Sequence, residues 1–241
     1  MLHFKDLQLL QDKESLAGIP SGKVLVNTIN AFSFNTARRD AAFRDALLHG
    51  DYLIPDGASV VKVCQWLGLP GAPRERIAGW DLFDHEMNKL NQRGGKVLFM
   101  GSSIDVLTRI KARAIVEYPN VEVDTYSPPY KPVFSAEDNA AIVSYINQSN
   151  PDLLWIGMTA PKQEKWAYEH WQELDIHCHC GTIGAVFDFF AGTARRAPLW
   201  WQQHGLEWLY RLKCEPRRMW RRYIIGNTQF ICYALMEKIG F

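Results

Sequence analysis

Asp56 is the carboxylate best placed in the sequence for acid–base chemistry, because it directly follows a short apolar run and is followed by Gly57. Ligands of open α/β sheets bind at the carboxyl ends of the strands. A carboxylate there can act as a general base on a hydroxyl, a role worth about 10²–10⁴ in rate. Asp is also a favoured helix N-cap, so the sequence leaves both roles open.

Three other polar residues stand close to strand ends or turns. Thr28 and Asn30 follow the first apolar run, where small polar side chains can hold sugar hydroxyls, or can close a turn or cap a helix. Arg76 can meet a phosphate or an acid, although a surface position is the usual one for arginine. We predict that these residues share a site with Asp56.

Two later strand ends carry further candidates. Lys162 and Gln163 fall in the first turn of a predicted helix, from which they can reach a diphosphate or the edge of a base, or can simply face solvent. Gly181 and Gly184 follow the last predicted strand and can let a ligand approach the backbone, or can serve close packing. Both pairs are predicted to bind substrate.

A basic cluster follows near the C-terminus, interleaved with aromatic residues. On a helix, Arg217 and Arg221 form one i,i+4 pair, and Arg218 and Arg222 form a second. Their like charges repel one another unless an anion lies between them. The pattern favours an interfacial helix on anionic lipid, or phosphate binding, over a solvated face. The predicted phosphate-binding residues are Arg211, Arg217, Arg218 and Arg221.

The sequence predicts neither a metal ion nor a cofactor. The segment 177–180 reads His-Cys-His-Cys, but alternate residues of a strand face opposite ways and cannot converge on one ion. No Asp-x-Asp pair is present. The glycine fingerprint of dinucleotide-binding enzymes and the Walker loop are also missing, which counts against an oxidoreductase.

These residues are positioned by alternating short apolar runs and helical patterns. Strands are predicted at 23–26, 52–54, 96–100, 121–125, 153–156 and 176–180. Helices are predicted at 37–48, 58–67, 81–91, 104–118, 136–147 and 163–174. This alternation predicts an α/β fold, a Rossmann-like sheet with helices on both faces.

Charge divides the chain of 241 residues into two parts. Residues 194–241 carry nine Lys and Arg against three acids, a net charge of +6, and the remainder carries −5. We predict a core at 1–193 and a basic amphipathic, membrane-associating helical segment at 194–241, here called the C-terminal segment. No signal peptide, membrane span or disulfide framework is expected, which predicts a cytoplasmic protein on the inner face of the membrane.

Taken in order, these motifs resemble the WecG/TagA/CpsF glycosyltransferases, glycosyltransferase family 26. The resemblance runs from about Val24 to Tyr223. Its most specific parts are Pro55-Asp56-Gly57, Arg76-x-x-Gly79-x-Asp81-Leu82, Pro161-Lys162-Gln163-Glu164, and Arg195-Arg196-Ala197-Pro198 through Glu207-Trp208-Leu209-Tyr210-Arg211. One departure is Thr182, where relatives often carry glycine.

The resemblance implies an inverting, metal-independent transfer from a UDP-sugar to a polyprenyl-diphosphate-linked sugar, in cell-surface polysaccharide synthesis. The donor sugar would be N-acetylmannosamine, its uronic acid or a glucose-like sugar. Asp56 would be the base, with Thr28 beside it and Asn30 and Gln163 in the substrate site. The C-terminal segment would reach an anionic membrane surface and help complete the site, and a homo-oligomer is possible.

The alternative is a nucleotide- or nucleic-acid-binding module that uses the C-terminal arginines. The core carries no basic stripe and no nucleic-acid-binding signature. We therefore predict an enzyme without a nucleic-acid partner.

Overall fold

The protein is built on one sheet of six parallel strands, and its computed structural model is described here for residues 1–240. Phe241, the last residue of the predicted C-terminal segment, lies outside the described residues. The strands run in the order β2-β1-β6-β5-β3-β4. They are β1 Val24–Ile29, β2 Tyr52–Pro55, β3 Gly95–Met100, β4 Val121–Tyr126, β5 Leu153–Ile156 and β6 His179–Thr182.

Helices connect the strands and continue beyond the last one. Those of the core are α1 Ala31–Arg39, α2 Ala41–Leu48, α3 Ala58–Leu67, α4 Gly79–Arg93, α5 Ile104–Glu117, α6 Ala136–Ser149, α7 Lys162–His170 and α8 Gly184–Ala191. The C-terminal segment holds α9 Leu199–Gln203, α10 Glu207–Cys214, α11 Pro216–Trp220, a π-helical stretch Arg221–Ile225 and α12 Gly226–Lys238. The predicted Rossmann-like α/β fold is confirmed.

Several predicted boundaries are wrong, and for two of them the hydrogen bonds identify the reason. The helix predicted at 37–48 is two helices, because Asp40 is extended and its Oδ1 accepts the Phe43 N–H at 3.0 Å, which ends α1 and caps α2. The first strand continues to Ile29. Its polar Asn27 is buried there with its amide bonded to the carbonyl of Ala46 (3.1 Å) and to the Thr182 hydroxyl (2.8 Å). A satisfied amide can lie inside a sheet.

The last strand is also shorter at its start than predicted, since it begins at His179 rather than at residue 176.

The core lies on both faces of the sheet. Alternate strand residues point to opposite faces, so Val97 and Phe99 join one apolar cluster while Leu98 and Met100 join the other. The first face buries an aromatic group against α4 and α8, made of Phe83, Phe99, Trp155, Phe187 and Phe190. Apolar packing on both faces fixes the strands of the sheet, and with them the positions of their carboxyl ends.

The C-terminal segment packs back onto the core through α12. Phe230 is 1% exposed, and its ring lies 5.2 Å from that of Phe4 and 5.5 Å from that of Phe34 in α1. The boundary at residue 194 stays a prediction. Among residues 1–240, no helix is both long and apolar enough to cross a membrane.

Candidate functional site

Asp56 stands immediately after β2, at the carboxyl edge of the sheet. It does not cap α3, whose N-cap is Gly57, so the capping interpretation is wrong. Its Oδ1 instead accepts hydrogen bonds from Arg76 Nη2 at 3.2 Å and from the Gly79 N–H at 3.3 Å. Within residues 1–240 no hydrogen bond reaches Oδ2, and the side chain is 28% exposed. One carboxylate oxygen is thus held and the other is free.

The ends of β1 and β2 come together because Gly57 has no side chain. A Cβ on Gly57 would lie 2.9 Å from the Asn30 Cα. Thr28 pairs with Ile54 in the strand register and is half-buried, two residues before Asp56 along the sheet edge. The Asn30 Oδ1 caps α1 by accepting the N–H groups of Phe32 and Ser33. The predicted grouping of Thr28, Asn30 and Asp56 is therefore present, while their roles stay predictions.

Arg76 lies between two carboxylates. Its Nε donates to the Asp56 carbonyl, its Nη2 donates to the Asp56 carboxylate, and its Nη1 pairs with Glu207 Oε2 from α10. Burial lowers the pKa of Arg76, but the charges of Asp56 and Glu207 outweigh burial and raise it overall. The Arg76 guanidinium therefore stays charged. Glu207, a residue of the C-terminal segment, contacts Arg76, which in turn holds Asp56.

Arg222 is a half-buried cation near this group. Its guanidinium lies 4.3 Å from the Phe32 ring centroid, and its buried Nε has no hydrogen-bond partner in the described chain. Burial lowers its pKa, as do the like charges of Arg211 and Arg218, against the opposing charge of Asp56. A desolvated guanidinium with free donors is suited to binding an anion.

Arg211 and Arg218 lie near Asp188, on α8. Burial raises the pKa of Asp188, and the two arginine charges oppose that shift. Arg218 also pairs with Glu215 at 2.7 Å. The charges of Arg211 and Arg218 thus act on both Asp188 and Arg222.

Arg217 and Arg221 are exposed, and Arg221 stacks over Trp220 at 5.3 Å. A π-helical stretch begins at Arg221, so the i,i+4 pairing that assumed one regular α-helix does not apply there. Their predicted role in phosphate binding stays a prediction.

Gln163 forms a hydrogen bond with the loop that follows β5. Its Oε1 accepts the Met158 N–H at 3.1 Å, and its Nε2 donates to Glu164 Oε1 at 2.9 Å, so both ends of the buried amide are engaged. Gly184 lets this loop approach, because a Cβ there would lie 2.2 Å from the Met158 carbonyl oxygen. Gln163 and Gly184 shape the edge of the sheet, whatever they contact in a substrate complex.

Lys162 and Gly181 also have internal contacts. Lys162 donates to the Lys131 carbonyl and lies 3.5 Å from the Phe134 ring centroid, and burial lowers its pKa. Gly181 is buried in β6, where a Cβ would meet the Trp155 ring at 2.4 Å. The predicted contacts of Lys162 and Gly181 with substrate stay predictions.

Glu164 is a carboxyl group buried without a charged partner among residues 1–240. It is 1% exposed, and burial raises its pKa to about 7, while the hydrogen bond from Gln163 acts in the opposite direction. Because the pKa of this carboxyl in the unfolded chain is near the ordinary glutamate value of 4.5, the free energy of unfolding falls as pH rises from there through about 7. The shift in the pKa of Glu164 between the unfolded and folded chain corresponds to about 3 kcal/mol in the free energy of unfolding.

We expect Glu164→Gln to remove this pH dependence, so that the variant is more stable than the wild type at pH 8 and similar to it at pH 4.5. Urea unfolding at both pH values measures the effect. Glu169→Gln, an exposed position on the same helix, is the matched control. Equal stabilities of wild type and Glu164→Gln at pH 8 would contradict the prediction.

The His-Cys-His-Cys segment is structural. His179 Nδ1 lies 3.1 Å from Glu86 Oε1 and its Nε2 lies 2.8 Å from the Pro20 carbonyl oxygen, while Cys178 and Cys180 are buried. No three His, Cys, Asp or Glu side chains are grouped as metal ligands in residues 1–240. Metal independence stays a prediction.

Sequence reasoning did not assign roles to Glu207, Arg196 and Arg222. Arg196 Nε lies 3.9 Å from Glu207 Oε1, which makes Glu207 the partner of two arginines. The only sequence sign of this arrangement is that Glu207 opens a motif shared with the resembling family. Its contact with Arg76 spans 131 residues of chain and depends on how α10 packs.

The fold and these side chains define a Rossmann-like α/β enzyme whose polar groups gather at the carboxyl edge of the sheet. Residues 8–241 match the model described as "Glycosyl transferase WecG/TagA/CpsF family". The chain belongs to this family of glycosyltransferases, which confirms the predicted enzyme class.

Two relatives from Bacillus carry the same name, N-acetylglucosaminyldiphosphoundecaprenol N-acetyl-beta-D-mannosaminyltransferase. The protein of Bacillus subtilis (strain 168) is 28% identical over 214 residues, 89% of this chain and 80% of the relative. The protein of Bacillus spizizenii is 31% identical over 188 residues, 78% of this chain and 70% of the relative.

Proposed function

We propose that the protein transfers a sugar from a UDP-sugar to a polyprenyl-diphosphate-linked sugar with inversion of the anomeric centre. N-acetylmannosamine is the first donor sugar to test, since the names of both relatives specify it. Its uronic acid and a glucose-like sugar are the further donors.

The proposal depends mainly on one observation: the Asp56 carboxylate accepts hydrogen bonds through Oδ1 and not through Oδ2 in the described chain. Arg76 and Gly79 fix Oδ1, and Oδ2 is left to accept the proton of an acceptor hydroxyl. The freed hydroxyl oxygen forms a bond to the anomeric carbon as the bond from that carbon to the diphosphate oxygen breaks. General-base assistance of this kind is worth about 10²–10⁴ in rate.

UDP leaves with the electron pair of the broken bond, and the developing negative charge needs cations. The charges of Asp56, Arg211 and Arg218 all act on Arg222, whose Nε has no hydrogen-bond partner in the described chain. Fixed donors aimed at developing charge are among the largest contributions to catalysis. We assign the diphosphate to these three arginines, with Arg217 and Arg221 as the outer cations of the same segment.

The acceptor is carried by a lipid, so the reaction takes place at a membrane surface. The C-terminal segment exposes large apolar side chains beside its basic residues, among them Trp200, Trp220, Ile224, Ile231 and Leu235. This combination suits peripheral binding to anionic lipid. We propose a peripheral location on the inner face of the cytoplasmic membrane, and a homo-oligomer is compatible with it.

UDP release tests the function. Wild-type protein is given a panel of UDP-sugars, with and without a short-chain diphosphate-lipid-linked N-acetylglucosamine acceptor, in the presence and absence of chelator and anionic vesicles. Acceptor-dependent release that survives chelation supports the proposal and identifies the donor. No release with any donor, from folded protein on vesicles, contradicts it and favours the nucleotide- or nucleic-acid-binding alternative.

A further inference from the structure

We propose that Glu207 is a positioning residue that keeps Arg76 from covering the free oxygen of Asp56. The inference rests on the proposed function, in which Asp56 is the base. It makes the catalytic arrangement depend on the docking of α10, since Glu207 is the first residue of that helix.

Each nitrogen of the Arg76 guanidinium has its own partner. Nε donates to the Asp56 carbonyl, Nη2 to Asp56 Oδ1, and Nη1 to Glu207 Oε2. The guanidinium is a planar fork whose donors have a fixed relative geometry. Contacts at different edges of this planar group therefore fix its orientation as well as its position.

The two carboxylates that hold Arg76, Asp56 and Glu207, are far apart in the sequence. The Arg76 side chain is 23% exposed, that of Asp56 28% and that of Glu207 19%, so all three are largely shielded from solvent. Arg196 approaches the other oxygen of Glu207 at 3.9 Å, which restrains Glu207 in turn. An ion pair in such surroundings is less screened than one at the surface.

Loss of Glu207 would change the geometry at Asp56. A guanidinium and a carboxylate prefer a bidentate arrangement with two parallel hydrogen bonds. With Nη1 released, Arg76 can turn so that it binds both Oδ1 and Oδ2 of Asp56. The oxygen that must accept the hydroxyl proton would then be occupied, while the nucleotide site around Arg211 and Arg222 would be unchanged.

The change should appear in kcat and not in donor binding. We expect Glu207→Ala, which leaves Arg76 Nη1 without its acceptor, to lower kcat by about tenfold or more, with the KM for the UDP-sugar within about twofold of the wild type. Glu207→Asp, which keeps the charge on a shorter side chain, should recover part of the lost kcat. Glu117→Ala removes the partner of Arg113 in a surface ion pair on α5 and is the matched control.

A double-mutant cycle separates positioning from a general structural role. If Glu207 acts through Arg76, Glu207→Ala lowers kcat in the wild-type background and changes it little in an Arg76→Ala background. The same four proteins are unfolded in urea, and a coupling free energy between the two positions is expected there as well.

Wild-type kcat in Glu207→Ala, or a loss of kcat that is equally large without Arg76, would overturn the inference. A wild-type protein that transfers no sugar contradicts the proposed function instead. In that case the unfolding cycle still decides whether Glu207 holds Arg76, because absence of coupling overturns the inference without reference to activity.

Discussion

Asp56→Asn is expected to lower kcat for sugar transfer about 10²–10⁴-fold, the range attributed to a general base. Asparagine has nearly the shape of aspartate and can still accept hydrogen bonds from Arg76 and Gly79 through its amide oxygen. It cannot take the proton of the acceptor hydroxyl at the position of Oδ2. Steady-state UDP release with saturating donor and acceptor measures the effect.

The control for this variant is Asp105→Asn, which removes an exposed carboxylate from a surface pair with Arg109. It should transfer sugar at the wild-type rate. Thermal unfolding of both variants should remain close to that of the wild type. A kcat within tenfold of the wild type in Asp56→Asn would exclude Asp56 as the base, and would direct attention to Asp188, another half-buried carboxylate near the arginines.

Phe230→Ala is expected to lower the free energy of unfolding by about 3–5 kcal/mol, the usual cost of deleting a buried phenyl ring. The ring is 1% exposed and packs edge-on against Phe4 and Phe34, which stack on each other at 4.0 Å. It joins α12 to the core, so its loss should also increase proteolytic cleavage within the C-terminal segment. Guanidinium unfolding and limited proteolysis measure the two effects.

Ile231→Ala is the matched control, because this neighbouring side chain is 56% exposed on the same helix. Its unfolding free energy should change by less than about 0.5 kcal/mol, as for most surface substitutions. If Phe230→Ala were no less stable than Ile231→Ala, the contact of α12 with the core would not contribute to folding as the structure indicates.

The elements of the core follow from local sequence. Strand 153–156 and helix 58–67 have the predicted bounds, because an apolar run and a helical period were uninterrupted there and ended at clear boundaries. One error arose where a polar side chain had distant partners. Asn27 reads as a loop residue until its partners, Ala46 and Thr182, are known to lie beside it.

The sequence by itself determined the α/β class, the position of Asp56 after a strand, the basic character of the C-terminal segment and the family. Periodicity, strand-end polarity and charge are local properties, and local order along the chain is enough to reveal them.

Only the tertiary structure decided what Asp56 does with its two oxygens and which arginines gather near it. Gly57 rather than Asp56 caps α3, Arg76 returns to Asp56 from 20 residues away, and Glu207 reaches Arg76 from the C-terminal segment. Such contacts depend on the packing of elements that are distant in sequence. The identity of a residue fixes which bonds it can form, and the fold selects the partners.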